Sequence, residues 1–112
     1  MSEISHGEWM NELFIFGDAD PEDLPYLSNG ELLEIGFSQV GKNTKISRKC
    51  SFYNVSGIIG DNTRIDDFCV LKGHIELGSY VHFAAYCMAS GAHAPVIIKD
   101  FVGIASRMSL FT

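Results

Sequence analysis

Apolar side chains recur every six residues along about two thirds of this chain, and that period leaves few folds open. The anchors run Val40, Ile46 and Phe52, then Ile59, Ile65, Leu71, Leu77, Phe83 and Ala89, and finally Ile98, Ile104 and Leu110. Phe52 to Ile59 takes seven residues and Ala89 to Ile98 takes nine, so one residue and then three are inserted. Four residues after most anchors stands a second small or apolar side chain: Thr44, Cys50, Ser56, Thr63, Cys69, Ile75, Val81, Cys87, Val102 and Met108. An α-helix would need alternating spacings of three and four, and a half-buried strand an alternation of two. Six fits a coil with three short strands per turn, whose turns stack in parallel about 4.8 Å apart.

Corner chemistry agrees with this coil. Gly41 to Asn43, Gly60 to Asn62 and Gly78 to Tyr80 open three of the turns, and Gly and Asn tolerate the left-handed backbone of a sharp corner. The cysteines give an independent register. Cys50, Cys69 and Cys87 are nineteen and eighteen residues apart, which is one turn with the single insertion and then one turn. They are expected to stack in one inward column with Met108 next in line, as reduced, buried, small hydrophobes. A serine at position 69 is expected to destabilise by about 1 to 3 kcal/mol, because a buried hydroxyl there would lack a partner.

With 112 residues, 46% of them apolar and 20% charged, the chain can build one small core. Its apolar runs (Leu13 to Phe16, Phe68 to Leu71, and at most the seven residues from Phe83 to Ala89) are far shorter than the roughly 20 residues that span a bilayer. No basic segment precedes them, so a cytoplasmic protein without membrane insertion is expected. The net charge of −6 divides unevenly: residues 1–41 carry −9 and the remainder +3. Residues 1–37 read as an acidic arm and capping helix, and residues 38–112 as the repeat domain. In the arm, Ser28 to Gly36 reads as one short helix, with Ser28 or Asn29 as N-cap and Gly36 as its stop. A second short helix is expected around Trp9, Leu13 and Phe16. The arm is expected to cover the unpaired edge of the first turn.

The run from Val40 onward resembles the hexapeptide-repeat acyltransferases. IGDNTRIDDFC at 59–69, VHFAAY at 81–86 and IASRMSLFT at 104–112 are similar to bacterial sugar acetyltransferases. These include galactoside and maltose O-acetyltransferases and N-acetyltransferases of nucleotide-linked amino sugars. The resemblance implies an all-β fold, a left-handed parallel β-helix of about four rungs with a short helical N-terminal cap. It implies acetyl-CoA as co-substrate without a metal, a sugar or nucleotide-sugar acceptor, and a homotrimer with active sites between neighbouring prisms. In such enzymes the helix runs on for further rungs that hold acetyl-CoA. In the galactoside and maltose enzymes the general-base histidine follows the segment matching Leu110 to Thr112. This chain stops in mid-hexad, so it is expected to be an N-terminal part of a longer protein.

Acetyl transfer to a sugar hydroxyl or amine needs a base, a stabilised oxyanion and an aligning cleft. Histidine is the natural base near neutral pH. His82 is placed at a corner between two faces, and His93 falls in the three-residue insertion, so these are the catalytic candidates. His74 reads as an outward corner residue and His6 as part of the arm. Tyr86 and Ser106 point outward by register and are candidates to touch the sugar, while Lys99 and Arg107 are candidates for the coenzyme phosphates. The bases are scattered without interleaved aromatics, which argues against nucleic acid. Two other readings stay open: a non-catalytic β-helix assembly module, and a carbonic-anhydrase-like metal enzyme, whose three facing histidines the spacings among His74, His82 and His93 do not resemble.

Overall fold

The computed structural model describes residues 25–112. The expected helix around Trp9, Leu13 and Phe16, and His6 with it, lie outside the described residues. The described residues form one helix, α1 (Asn29–Ile35), and nine parallel strands of a β-solenoid of about four turns. The strands are β1 (Gln39–Val40), β2 (Lys45–Ile46), β3 (Ser51–Ile59), β4 (Arg64–Ile65), β5 (Val70–Leu77), β6 (His82–Phe83), β7 (Met88–Ile98), β8 (Gly103–Ile104) and β9 (Ser109–Phe111).

Three in-register ladders run up the molecule. Face A stacks Val40, Ile59, Leu77 and Ile98. Face B stacks Ile46, Ile65, Phe83 and Ile104. Face C stacks Phe52, Leu71, Ala89 and Leu110. These are the twelve anchors of the six-residue period, each facing inward. β3, β5 and β7 each turn from face C into face A without a break, and both insertions are absorbed there, as register shifts after Tyr53 and after Gly73.

The core is volume-matched within a turn. Phe83 and Ala89 are both fully buried in the third turn, where the second has Ile65 and Leu71. A large ring on face B thus shares a turn with a small side chain on face C, a combination that suits a closely packed interior.

The A–B corner differs from the expectation drawn for its glycines. The left-handed residues are Asn43, Asn62, Tyr80 and Phe101, with φ of 55°, 54°, 59° and 62°. Gly60, two residues before Asn62, is small for a different reason: a Cβ there would lie 2.5 Å from the carbonyl carbon of Gly78 in the next turn. Two aromatic residues accept the unfavourable backbone because their rings stack, Tyr80 on Phe101 at 5.1 Å with 6° between planes. A side chain from each turn also closes the corner before it. Asp61 Oδ1 accepts from Lys42 N at 2.9 Å, Ser79 Oγ from Asp61 N at 3.0 Å, and Asp100 Oδ1 from Ser79 N at 2.8 Å.

The cysteine column forms with all three thiols free, but only Cys69 and Cys87 are buried; Cys50, in the first turn, is half-buried, which corrects the expectation that all three would be. Burial pushes the Cys87 thiol up. Each sulfur donates to a carbonyl of the following turn: Cys50 to Asp66 at 3.1 Å, Cys69 to Ala84 at 3.2 Å and Cys87 to Ala105 at 3.0 Å. A hydroxyl at position 69 therefore has an acceptor, which corrects the expectation that it would lack one. Met108 takes the fourth place in the column but is 46% exposed, since it lies in the outermost turn.

At the other end, Ser28 is the N-cap of α1 and forms a capping box with Glu31, and Gly36 ends the helix at φ 144°. Leu32 and Phe37 close the bottom of the core, and Phe37 meets Phe52 edge-on at 6.3 Å. The run ahead of the helix covers the free edge of β2: Leu27 N donates to Ile46 O at 2.9 Å and Arg48 N to Pro25 O at 3.0 Å. Edge pairing of this kind removes a template for association with another chain.

Candidate active site

On face B the outward positions of successive turns are Lys45, Arg64, His82 and Gly103. The first three line an open groove of about 560 Å³, with Asn43, Asn62 and Tyr80 along its corner side. His82 lies in β6, on the flat face and not at a corner as its place in the hexad suggests. The reason is that the strand begins at the residue before the inward anchor Phe83, so His82 takes the outward strand position.

Asp66, just past the end of β4, joins this column. Arg64 grips it with Nε on Oδ1 at 2.9 Å and Nη2 on Oδ2 at 3.4 Å. His82 Nε2 lies 3.0 Å from Asp66 Oδ2 and also 3.0 Å from Arg64 Nη2. One ring nitrogen thus has a partner in either protonation state. With a hydrogen, Nε2 donates to Asp66 and leaves Nδ1 its lone pair; without one, it accepts from Arg64. Burial raises the Asp66 pKa, but the bonds from His82 and Arg64 outweigh it and hold the carboxyl below its ordinary value. The cluster can hold and release a proton at the surface of a groove.

The B–C corner beside it gathers three further candidates. Tyr86 stacks on Phe68 at 5.3 Å, and the Arg107 guanidinium lies 5.1 Å from the Tyr86 ring. Ser106, next to Arg107, is exposed on the same corner. His93 and Lys99 are elsewhere. His93 sits in the exposed insertion of β7, on the C–A corner, which lies across the turn from face B. Lys99 follows the end of face A and lines a separate cavity of about 150 Å³ with Glu76, Ile58 and Ile97. His82 and His93 are therefore not brought together within one chain. Among the described residues no group of three or more His, Cys, Asp or Glu side chains could hold a metal ion, and no helix is long and apolar enough to cross a membrane.

No protein-family model matches the chain. Over 93 residues, 80% of its length, it is 44% identical to a dTDP-4-amino-4,6-dideoxy-D-glucose acyltransferase of Escherichia coli. Over most of its length the chain is thus similar to a dTDP-amino-sugar acyltransferase. Similar solved structures are of AntD, an N-acyltransferase from Bacillus cereus. A serine-to-threonine variant in complex with dTDP and coenzyme A superimposes with a TM-score of 0.68 at 44% identity, covering 78% of this chain and 47% of that one. A serine-to-cysteine variant in complex with dTDP-4-amino-4,6-dideoxyglucose and coenzyme A gives 0.68 at 46% identity, covering 78% and 47%. AntD with dTDP and 3-hydroxybutyryl-CoA gives 0.62 at 45% identity, covering 70% and 43%. This chain spans about half the length of these relatives. Arg64 and Asp66 are not among the candidates read from the sequence, although a signal was there. They are two residues apart, with Asp66 just past the end of β4 on the same side as Arg64, and Arg64 precedes His82 by eighteen residues, one turn.

Proposed function

We propose that the protein carrying this chain transfers an acyl group from acyl-CoA to the amine of a dTDP-linked amino sugar, as a homotrimer in the cytoplasm. The observation that carries this reading is the 44% identity to a dTDP-4-amino-4,6-dideoxy-D-glucose acyltransferase across most of the chain. The face B cluster supplies chemistry that suits it. Asp66 holds the hydrogen of His82 on Nε2, so Nδ1 faces the acceptor as a base. The sugar amine attacks the thioester carbonyl carbon while His82 takes the amine proton. Collapse of the tetrahedral intermediate expels the coenzyme thiolate, which takes up a proton, and leaves an amide. Tyr86 and Ser106 border the sugar, and Arg107 on the same corner offers positive charge to the coenzyme phosphates; Lys99, which stands off face A, does so only from a neighbouring copy. His93 reaches the same cleft only from a neighbouring copy, because within one chain it stands across the turn from His82.

The test is an assay of the protein carrying this chain with acyl-CoA and a dTDP-linked 4-amino sugar, following thiol release and the mass of the product. An amide is expected, and His82→Ala is expected to lower the rate by about a hundred-fold or more. Absence of amide overturns the reading; an amide formed at an unchanged rate by His82→Ala removes His82 as the base.

A further inference from the structure

A second imidazole is held at both of its nitrogens, away from face B. Ser56 and His74 are in-register neighbours on β3 and β5, where the chain rounds the C–A corner. Ser56 Oγ lies 2.8 Å from His74 Nδ1, and His74 Nε2 lies 2.9 Å from Glu76 Oε2. A carboxylate only accepts, so the ring hydrogen belongs on Nε2, Nδ1 carries the lone pair, and the Ser56 hydroxyl donates to it. A hydroxyl on a base, with the base oriented by an acid, is the arrangement that turns serine into a nucleophile. Gly57 turns the chain directly after Ser56 at φ 116°, a position where any Cβ would strike the Ile75 carbonyl.

The surroundings add a place for an acyl chain. Glu76 stands between Ile58 and Ile97 in the outward ladder of face A, and these residues with Lys99 line the cavity of about 150 Å³. Its apolar wall suits a short acyl chain, Lys99 and Asp100 stand together at its edge, and Glu76 is the member of the array that lines it. The next turn overhangs the same corner through the insertion that carries His93, which Thr112 fixes by accepting from Ala94 N at 3.2 Å and donating to Ala94 O at 2.6 Å.

We propose that Ser56 is an acyl-accepting nucleophile, with His74 as its base, Glu76 as the residue that positions His74, and a short-chain acyl thioester as the donor. Ser56 Oγ attacks the thioester carbonyl carbon as its proton passes to His74 Nδ1. The carbon–sulfur bond breaks, the thiolate leaves with the proton from His74, and an ester remains on Ser56. Water or an amine then releases the acyl group. The array is separate from the face B groove, so its failure would leave the amide-forming reading standing, and the reverse also holds.

The experiment treats the chain with acetyl-CoA and separately with S-acetyl-N-acetylcysteamine, which lacks the nucleotide, and follows intact mass, free thiol and the peptide carrying the label. One acetyl group on Ser56 is expected from both donors. Ser56→Ala abolishes it, His74→Ala slows it by about a hundred-fold or more, and Glu76→Gln slows it with partial recovery in Glu76→Asp. The three side chains substituted are half-buried, and unchanged thermal midpoints establish that the variants fold. No label at Ser56, label confined to lysines or cysteines, or labelling of Ser56 that His74→Ala leaves unchanged overturns the proposal.

Discussion

His82 Nε2 lies 3.0 Å from Asp66 Oδ2 although the two residues are sixteen apart in the chain. The coil returns to the same face one turn later, which turns a long sequence separation into a hydrogen bond. The bond is expected to matter for rate more than for substrate binding. Asp66→Asn keeps an acceptor oxygen but removes the charge, so kcat for amide formation should fall by about ten- to a hundred-fold, less than in His82→Ala, with KM little changed. Steady-state kinetics on both variants decide it.

Arg48 and Ser28 hold the Glu31 carboxyl at about 2, against an ordinary 4.5. A carboxyl whose folded value is depressed contributes stability above its ordinary value, and that contribution is lost as pH falls through the folded one. The capping box and its tie to the first turn should therefore weaken between pH 4.5 and about 2. Thermal midpoints across this range should fall less steeply for Glu31→Gln than for the parent chain.

Cys69 and Cys87 should be protected by burial and not by pairing, with half-buried Cys50 the most accessible of the three. Native protein is expected to react slowly with a thiol reagent, and denatured protein to titrate three equivalents. Because the Ala84 carbonyl stands ready to accept at position 69, Cys69→Ser should cost about 1 kcal/mol or less, the net worth of an ordinary hydrogen bond. Denaturant unfolding of that variant measures it, and a cost well above this would mean that the hydroxyl does not reach Ala84.

Ala89 is fully buried in the same turn as Phe83. Ala89→Leu should therefore overpack the third turn and destabilise by about 1 to 3 kcal/mol or more. Phe83→Ala should cost about 3 to 5 kcal/mol by leaving a cavity. In the double variant the added leucine occupies space the ring vacated, so its cost should be smaller than the two single costs combined. Denaturant midpoints of the three variants give the comparison.

The fold was legible because inward positions carry their own signature. Ile46, Ile65, Phe83 and Ile104 must be apolar wherever a turn closes on itself, so the period of six reports them directly. The outward positions obey no such rule. Lys45, Arg64 and His82 are all compatible with solvent, and only the eighteen-residue step between the last two hints that they share a groove. The same freedom misplaced His82 at a corner, since the period locates anchors and not the residues where the backbone bends. It also hid the left-handed conformation of Tyr80 and Phe101, whose rings stack against the preference of their residue types. His93 was legible as part of an insertion, but the side of the coil on which it stands depends on which corner absorbs the extra residues.

The side chains of Asp61, Ser79 and Asp100 each accept a backbone hydrogen from the corner one turn earlier. A turn of this solenoid is thus unfinished until its successor arrives, and each arrival presents a fresh open corner to the next. Each turn therefore draws part of its stability from its upper neighbour, so the solenoid is held together by nearest-neighbour coupling along its axis. A polar-to-apolar change at Asp61 should accordingly be felt in the turn below it before the turn that carries it.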